Sequence, residues 1–455
     1  MRNLFVLGII AAALSSCTTS GNGELIGVQN RPIWNPTDPY GMVYLPQGSF
    51  NMGPGDQDVP YAHVTQHKTV SVAAFYMDET EITNNEYRQF VNWVRDSIAR
   101  TLLAKSIVSY DDKSGEPNEF AFREYAKWDK EELQRFTGER LNWDYKIPYD
   151  SQDPEIRDAL AELYLPGDER FYNRKEIDAR KLFFSYEQIE IKKASRKSER
   201  DIRQGQSDRR DFIIGQGDPR ESKTRINIYP DTLVWTHDYA YSYNDPWTRN
   251  YFHHPAFDDY PVVGVNWKQA VAFSKWRTKM LDDYLLNRGE PLHDEFRLPT
   301  ESEWEYAARG GMDLSPYPWG GPYTTNDKGC YLANFKPRRG NYTADGGIRT
   351  VKVGSYNPNN YGLYDMAGNV SEWTDNTYDE SAFSFAHDMN MDFRYDAPGN
   401  ENIRTRKTIR GGSWKDISHF IQVGTRDYEY QDTAKSYIGF RNVVSFLGRD
   451  KVDFR

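Results

Sequence analysis

Gly362-Leu363-Tyr364-Asp365-Met366-Ala367-Gly368-Asn369-Val370-Ser371-Glu372-Trp373 lies inside a stretch, residues 317–446, that is rich in Gly, Asn, Asp and aromatics. Gly reaches left-handed backbone at no steric cost, and Asn and Asp side chains bond their own backbone two residues on. The stretch therefore predicts many turns joined by short strands. Two helices are expected just before it. Trp267-x-x-Ala270-x-x-Phe273-x-x-Trp276 sets apolar residues on one helical face. Phe296-Arg297-Leu298-Pro299-Thr300 leads into the next helix. There Thr300-x-x-Glu303 has the spacing of a capping box, and Trp304, Tyr306 and Ala307 begin a buried side.

Toward the N-terminus the pattern changes twice. From about residue 99 to 239 the chain is dense in charge, poor in aliphatics and short of glycine turns. This reads as an insertion into a globular domain. Residues 154–163 and 186–193 look helical. Lys192, Lys193, Arg196, Lys197, Arg200, Arg203, Arg209 and Arg210 make one segment basic. Such a segment is either a solvated helical face or a docking surface for an acidic partner or lipid headgroup. Before the insertion, residues 41–98 look globular again. Residues 41–53 alternate apolar and turn residues as a short hairpin would, and residues 70–77 read as one strand. Thr83-x-x-Glu86 caps a helix carrying Tyr87, Phe90, Val91 and Val94 on one face.

The first 16 residues carry one basic residue, an apolar run from Leu4 to Leu14, and small residues before Cys17. That is the layout of a secretory signal, and the run is too short to span a bilayer. Leu14-Ser15-Ser16-Cys17 resembles the lipobox of bacterial lipoproteins, which makes Cys17 the expected lipidation site; an ordinary signal with a chance cysteine is the plainer reading. Residues 17–40 form a polar tether. The domain proper is expected over residues 41–455.

Composition narrows the function. The chain has 455 residues, a net charge of -10 and only two cysteines, Cys17 and Cys330. With Cys17 processed, no internal disulfide can form. The acidic balance argues against nucleic acid as a general partner, because phosphate binding needs basic patches. Aromatics reach 15%, with 32 Tyr and 12 Trp. That suits a loop-rich fold or one with broad contact surfaces.

Eight segments in order resemble the formylglycine-generating-enzyme, or sulfatase-modifying factor, domain. They are Gly48-x-Phe50-x-Met52-Gly53, Asp78-Glu79-Thr80-Glu81-Ile82-Thr83-Asn84, Pro261-Val262-Val263-Gly264-Val265-Asn266-Trp267, Arg297-Leu298-Pro299-Thr300-Glu301-Ser302-Glu303-Trp304-Glu305, Tyr317-Pro318-Trp319-Gly320, the Gly362–Trp373 stretch, Arg410-Gly411-Gly412-Ser413-Trp414 and Ile438-Gly439-Phe440-Arg441. The resemblance implies an α+β body related to C-type lectins, with little regular secondary structure. It also implies two structural Ca²⁺ sites. One would use Asp365, Glu372 and the backbone oxygens of Gly368 and Val370; the other Asn334, Asp345 and the backbone oxygens of Phe335 and Gly347. A plain network of Asx-turns is the alternative.

The same resemblance implies an oxidase built on two cysteines after the Gly-Gly-Ser turn. Here residues 413–426 contain none. A thiolate is the ligand and nucleophile in such chemistry, and no other side chain supplies it. The expectation is therefore a non-catalytic chain. Within the family it most resembles the gliding-motility and type IX secretion lipoproteins of the GldK/PorK type, with a sibling J type as competitor. The lipobox, the long insertion, and Tyr229-Pro230-Asp231-Thr232-Leu233-Val234-Trp235 running into Asn250-Tyr251-Phe252-His253-His254-Pro255 carry that likeness. It implies a periplasm-facing scaffold anchored in the outer membrane, self-associating into a ring with a partner subunit, the N component. A peptide- or glycan-binding module, with a cleft near Trp319, Trp373 and Trp414, is the other non-catalytic reading.

Remaining candidates are weaker. His63-x-x-x-His67 has zinc-like spacing but leads into a strand, where positions four apart are about 13 Å apart. His253-His254 and Asp258-Asp259 are expected in turns. No nucleophile elbow or phosphate loop is present. Cys17→Ala is expected to release the protein from membranes on alkaline washing, as read by immunoblot of pellet and supernatant.

Overall fold

The computed structural model describes residues 38–55, 67–108, 141–144, 146–186, 188–189, 213–214, 225–242, 245–394 and 405–448. Cys17, His63 and the basic residues 192–210 lie outside them. Asp38–Phe446 forms one compact unit; of the other, Met1–Thr37 with Leu447–Arg455, only residues 447–448 are described.

β1 (Met42–Leu45) and β2 (Gly48–Met52) follow each other without pairing. β2 pairs antiparallel with β3 (Lys68–Val72), and β1 with β4 (Phe75–Asp78). The hairpin expected over residues 41–53 is thus corrected. Pro46 lies between the strands and has no N–H to give a ladder. Its carbonyl accepts the Tyr306 hydroxyl at 2.9 Å. A Cβ on Gly48 would fall 2.7 Å from that same hydroxyl, so the ring occupies the corner. The single strand expected over residues 70–77 is two strands. The break falls at Ala73, whose N–H leaves the ladder for Asn390 Oδ1 at 2.7 Å.

α1 (Asn84–Val108) starts as its sequence predicts. The Thr83 N–H donates to Glu86 Oε2 at 2.8 Å, and the Glu86 N–H returns to Thr83 Oγ1 at 3.3 Å. Tyr87, Phe90, Val91 and Val94 are buried. The composition change at Ala99 falls within this helix, without a break. α2 (Pro154–Ala161) is capped by Asp153 and has Pro at its first turn, as expected for residues 154–163. β5 (Phe183–Phe184), β6 (Gln188–Ile189), β7 (Ile213–Ile214) and β8 (Ile226–Asn227) pair antiparallel, β5 with β8 and β6 with β7. The helix expected over residues 186–193 is therefore corrected at its centre. Ile189 lies opposite Ile213, and β-branched partners favour a ladder.

α3 (Val234–Asp238) and α4 (Pro246–Asn250) are short. α5 (Trp267–Arg288) is opened by a capping box of Asn266 and Gln269 and closed by Gly289 at φ +67. α6 (Glu301–Arg309) is opened by the expected Thr300–Glu303 box. After it come β9 (Ser371–Thr377), α7 (Ala382–Phe385), β10 (Arg406–Arg410), β11 (Asp427–Tyr430), β12 (Ile438–Gly439) and β13 (Val443–Ser445). One sheet runs β11-β10-β9-β12, with β12 parallel to β9; another runs β1-β4-β13.

The main core lies between α1, α5 and the four-stranded sheet. There Tyr87, Phe90, Phe273, Trp276, Trp373, Ile438 and Phe440 pack together. A second core sets Trp304 and Ala307 of α6 against Met52, Val70 and Phe75. The mixture of helices and strands agrees with the α+β expectation.

At the start of α6, Arg297 grips Glu303 with two bonds, 2.7 and 2.6 Å. Burial alone would raise the Glu303 carboxyl, but the Arg297 charge and the Thr300 groups outweigh it and hold it below the ordinary range. Its stabilisation is therefore complete above the unfolded carboxylate's value and fades as pH falls through the lower folded value. Glu303→Gln is expected to cost about 2 kcal/mol at neutral pH. Urea unfolding across a pH series should show that gap closing in acid.

Candidate functional site

Asn369 lies in the turn-rich stretch 362–373 and stands at φ +59, a backbone region Asn tolerates. Its N–H donates to the Asn334 carbonyl at 2.8 Å. Its side-chain Nδ2 donates to Glu81 Oε2 at 2.7 Å, and the Val370 N–H to Glu81 Oε1 at 3.1 Å. Asn369 Oδ1 accepts from the Val351 N–H at 2.9 Å and from Asn334 Nδ2 at 3.2 Å. Beside it Gly368, at φ +79, lies so close that a Cβ would fall 2.3 Å from the Asn334 carbonyl oxygen. One residue thus joins the two expected calcium loops.

The first loop already holds a cation. Arg441 donates to both Glu372 oxygens, at 2.6 Å to Oε1 and 2.7 Å to Oε2. Trp304 Nε1 also donates to Glu372 Oε2, at 2.7 Å. Asp365 Oδ2 accepts the Gly354 N–H at 2.6 Å. Burial and then Glu372 push the Asp365 carboxyl up to about 6, against the Gly354 N–H and the Arg441 charge. Glu81, fully buried, is pushed up by burial, then by Asp365 and Glu372. Three carboxylates therefore face one guanidinium. A metal binding Asp365 and Glu372 would compete with Arg441 for Glu372.

The second loop differs. Asn334 is 1% exposed, and its Oδ1 has no hydrogen-bond partner, while its Nδ2 donates to the Arg349 carbonyl at 2.8 Å. Asp345 is 9% exposed and accepts only backbone donors, Phe335 N–H at 2.7 Å and Gly347 N–H at 3.3 Å. Burial raises its carboxyl. A Cβ on Gly347 would fall 2.9 Å from Asn334 Oδ1. An amide oxygen without a donor next to a carboxylate without a cationic side chain is a donor set suited to a hard cation. Among the described residues, no group of three or more His, Cys, Asp or Glu side chains is arranged for a metal; each loop offers two side chains with backbone oxygens.

The remaining candidates are structural. His67 leads directly into β3. His254 Nδ1 caps a short turn by accepting the Ala256 N–H at 3.1 Å. Asp258 pairs with Arg88, and Asp259 with Lys352 at 3.3 Å. Trp373 and Trp414 are buried, and Trp319 stacks on Tyr317 with ring centres 5.0 Å apart. Residues 413–426 are tied down: Ser413 Oγ donates to Asp416 Oδ2 at 2.6 Å, Tyr317 Oη to the Ser418 carbonyl at 2.9 Å, and Ile421 is buried. Sequence reading passed over Glu81, Asn369 and Arg441, although all three sit in the segments that carried the resemblance.

Fold, loops and buried ion network define an α+β body of the sulfatase-modifying type. The chain belongs to the sulfatase-modifying factor enzyme 1-like domain family, whose profile matches residues 31–153 and 190–446. The profile skips residues 154–189, inside the expected insertion. The inactive C-alpha-formylglycine-generating enzyme 2 of Mus musculus is 35% identical over 199 residues, covering 42% of this chain and 51% of that one. The formylglycine-generating enzyme of Streptomyces coelicolor is 32% identical over 187 residues, covering 40% and 52%. The chain spans about half the length of these curated relatives. PvdO from Pseudomonas aeruginosa is 18% identical, with 89% and 94% covered and a TM-score of 0.42. Relatives include both enzymes and an inactive form, so membership is compatible with a non-catalytic role without fixing one.

Arg441→Leu leaves Glu81, Asp365 and Glu372 buried without their cation. It is expected to cost about 3–5 kcal/mol, read as a fall in the urea midpoint.

Proposed function

We propose that this chain is a non-catalytic, lipid-anchored scaffold of a type IX secretion or gliding apparatus. It faces the periplasm from the outer membrane and closes into a ring with the N component. The observation that carries the non-catalytic part is the segment after Gly412. It has no cysteine; Ser413 is bonded to Asp416, and the Ser418 carbonyl accepts the Tyr317 hydroxyl. The other cysteine, Cys330, is exposed and has no second thiol to work with. The lipobox ending at Cys17, the charged stretch within residues 99–239 and the aromatic run over residues 229–261 support the secretion part by resemblance. The sibling J-type lipoprotein shares much of that pattern and is the nearest competing assignment.

Calcium is assigned a bracing role at the Asn334–Asp345 loop, where Asn334 Oδ1 and Asp345 would hold it with backbone oxygens of Phe335 and Gly347. The ion supplies positive charge to a buried oxygen cluster and no redox chemistry. The Asp365, Gly368, Val370 and Glu372 set is the less favoured site, because Arg441 already neutralises Glu372. A peptide- or glycan-binding cleft finds less support, since Trp373 and Trp414 are core residues. Among the described residues no helix is long and apolar enough to cross a membrane, which leaves Cys17 as the proposed anchor.

Detergent extraction of tagged protein, with mass spectrometry and negative-stain imaging, tests the scaffold. Rings with one dominant partner are the expected result. A lone monomer, together with intact secretion in a deletion strain, would overturn the assignment.

A further inference from the structure

Arg349 belongs to two places at once. Its backbone is part of the second loop, where its carbonyl accepts the Asn334 Nδ2 bond at 2.8 Å. Its guanidinium leaves that loop and enters a ring of aromatic side chains carried by α3, α4 and the turn after α3. The guanidinium carbon lies 4.1 Å from the Tyr239 ring centre, 5.9 Å from Trp235 and 5.8 Å from Trp247. Asp245 completes the seat, 2.7 Å from Arg349 Nη2. The arginine is only 7% exposed. Next to it, Thr350 Oγ1 shares a hydrogen bond with the Tyr251 hydroxyl at 3.1 Å, inside the same aromatic group.

The seat organises a segment that also presents apolar surface. Trp235 stacks on Trp414 at 5.9 Å, and Trp247 meets Phe257 at 4.8 Å and Tyr260 at 5.3 Å. From the same segment Tyr241 and Leu233 project fully or largely into solvent. The weak point of the arrangement is Asn334 Oδ1. A buried amide oxygen without a donor carries a desolvation cost of about 1–3 kcal/mol. Asn334 Nδ2 is held by two acceptors, the Arg349 carbonyl at 2.8 Å and Asn369 Oδ1 at 3.2 Å, so a displacement of Asn334 that eases the cost loosens the bond that holds the Arg349 backbone. A cation on Oδ1 removes the cost and so holds Asn334, and the Arg349 carbonyl bonded to it, in place.

We propose that the Asn334–Asp345 loop and the aromatic segment at residues 234–260 form one cation-coupled unit. An oxygen-seeking divalent cation on Asn334 Oδ1 and Asp345 locks Arg349 into its aromatic seat and so orders that segment. This rests on the calcium reading of that loop. Coupling of this kind is reciprocal: whatever cation binding adds to the seat, loss of the seat takes from cation affinity.

The test uses full-length protein in detergent, with calcium affinity by calorimetry and hydrogen exchange of peptides from residues 234–260 in calcium and in chelator. Calcium is expected to slow exchange across those peptides about fivefold or more. Arg349→Lys and Asp245→Asn should each lose that slowing and weaken calcium binding by a similar factor; Asp245→Asn keeps the arginine in place should Arg349→Lys fail to fold. Calcium that binds wild-type protein without altering exchange overturns the coupling and leaves the cation loop standing. Slowing that persists in both variants also overturns it, because Arg349 is then not the link. Absence of calcium binding to wild-type protein, unchanged by Asn334→Ala, sinks the calcium reading and the coupling with it.

Discussion

Burying three carboxyl groups around one guanidinium, with Arg441 paired to Glu372 and burial pushing Glu81 and Asp365 toward their neutral forms, is the constraint on which the rest depends. Glu81 comes from the turn before α1, Asp365 from the loop leading into β9 and Glu372 from the start of β9, and they meet in the interior, where an unpaired charge is very costly. Arg441 answers them and also donates to the carbonyls of Asp78, Glu79 and Tyr364, at 3.1, 3.4 and 3.0 Å. The end of β4, the turn before β9 and β9 itself are thereby held to one planar group. A second buried network repeats the device between α6 and β10. Arg410 pairs with Glu301 and Glu305, Arg426 with Glu301, and Arg309 with Glu305. Such networks are weak sources of net stability but punish misplacement, because a guanidinium out of register leaves charges stranded. In a loop-rich body with few long strands, this supplies the definition that regular sheets supply elsewhere.

The parts of the fold legible from sequence were those set by neighbours along the chain. Capping boxes at Thr83 and Thr300 act over three residues, and the buried faces of α1, α5 and α6 follow helical period. The misread parts were set across the chain. Pro46 and Tyr306 separate β1 from β2, Asn390 parts β3 from β4, and β6 pairs with β7 where a helix is expected from sequence. The site divides the same way. Asn334 and Asp345 lie within one loop, and what the sequence did not reveal there is that Asn334 Oδ1 is buried without a donor. That Glu372 is occupied could not be read, because Arg441 lies 69 residues away and reaches it only through the β9–β12 pairing. Glu81, at a sequence separation of 288 from Asn369, was hidden for the same reason.

The architecture around the segment after Gly412 does not depend on a cysteine there. The segment after Gly412 is closed by Asp416 bonding back to Ser413 and by Ile421 filling the interior. Nothing in that arrangement requires a reactive group, and the Arg410 network reaches it through the carbonyls of Val423, Gly424 and Thr425 and through Arg426. A body of this kind keeps its shape while its surface is free to take on contacts.

The pairing of β4 with β13 sets a timetable. Residues 75–78 lie near the beginning of the chain and residues 443–445 near its end, yet they are neighbours in one sheet. Arg441, just before β13, must arrive before the interior carboxylates can be buried. A chain threaded through a membrane from its N-terminus therefore cannot complete its core until nearly all of it has crossed. Pairings across so much sequence are intrinsically slow. Any chain of this fold that must be exported would stay threadable during passage and become rigid only on arrival.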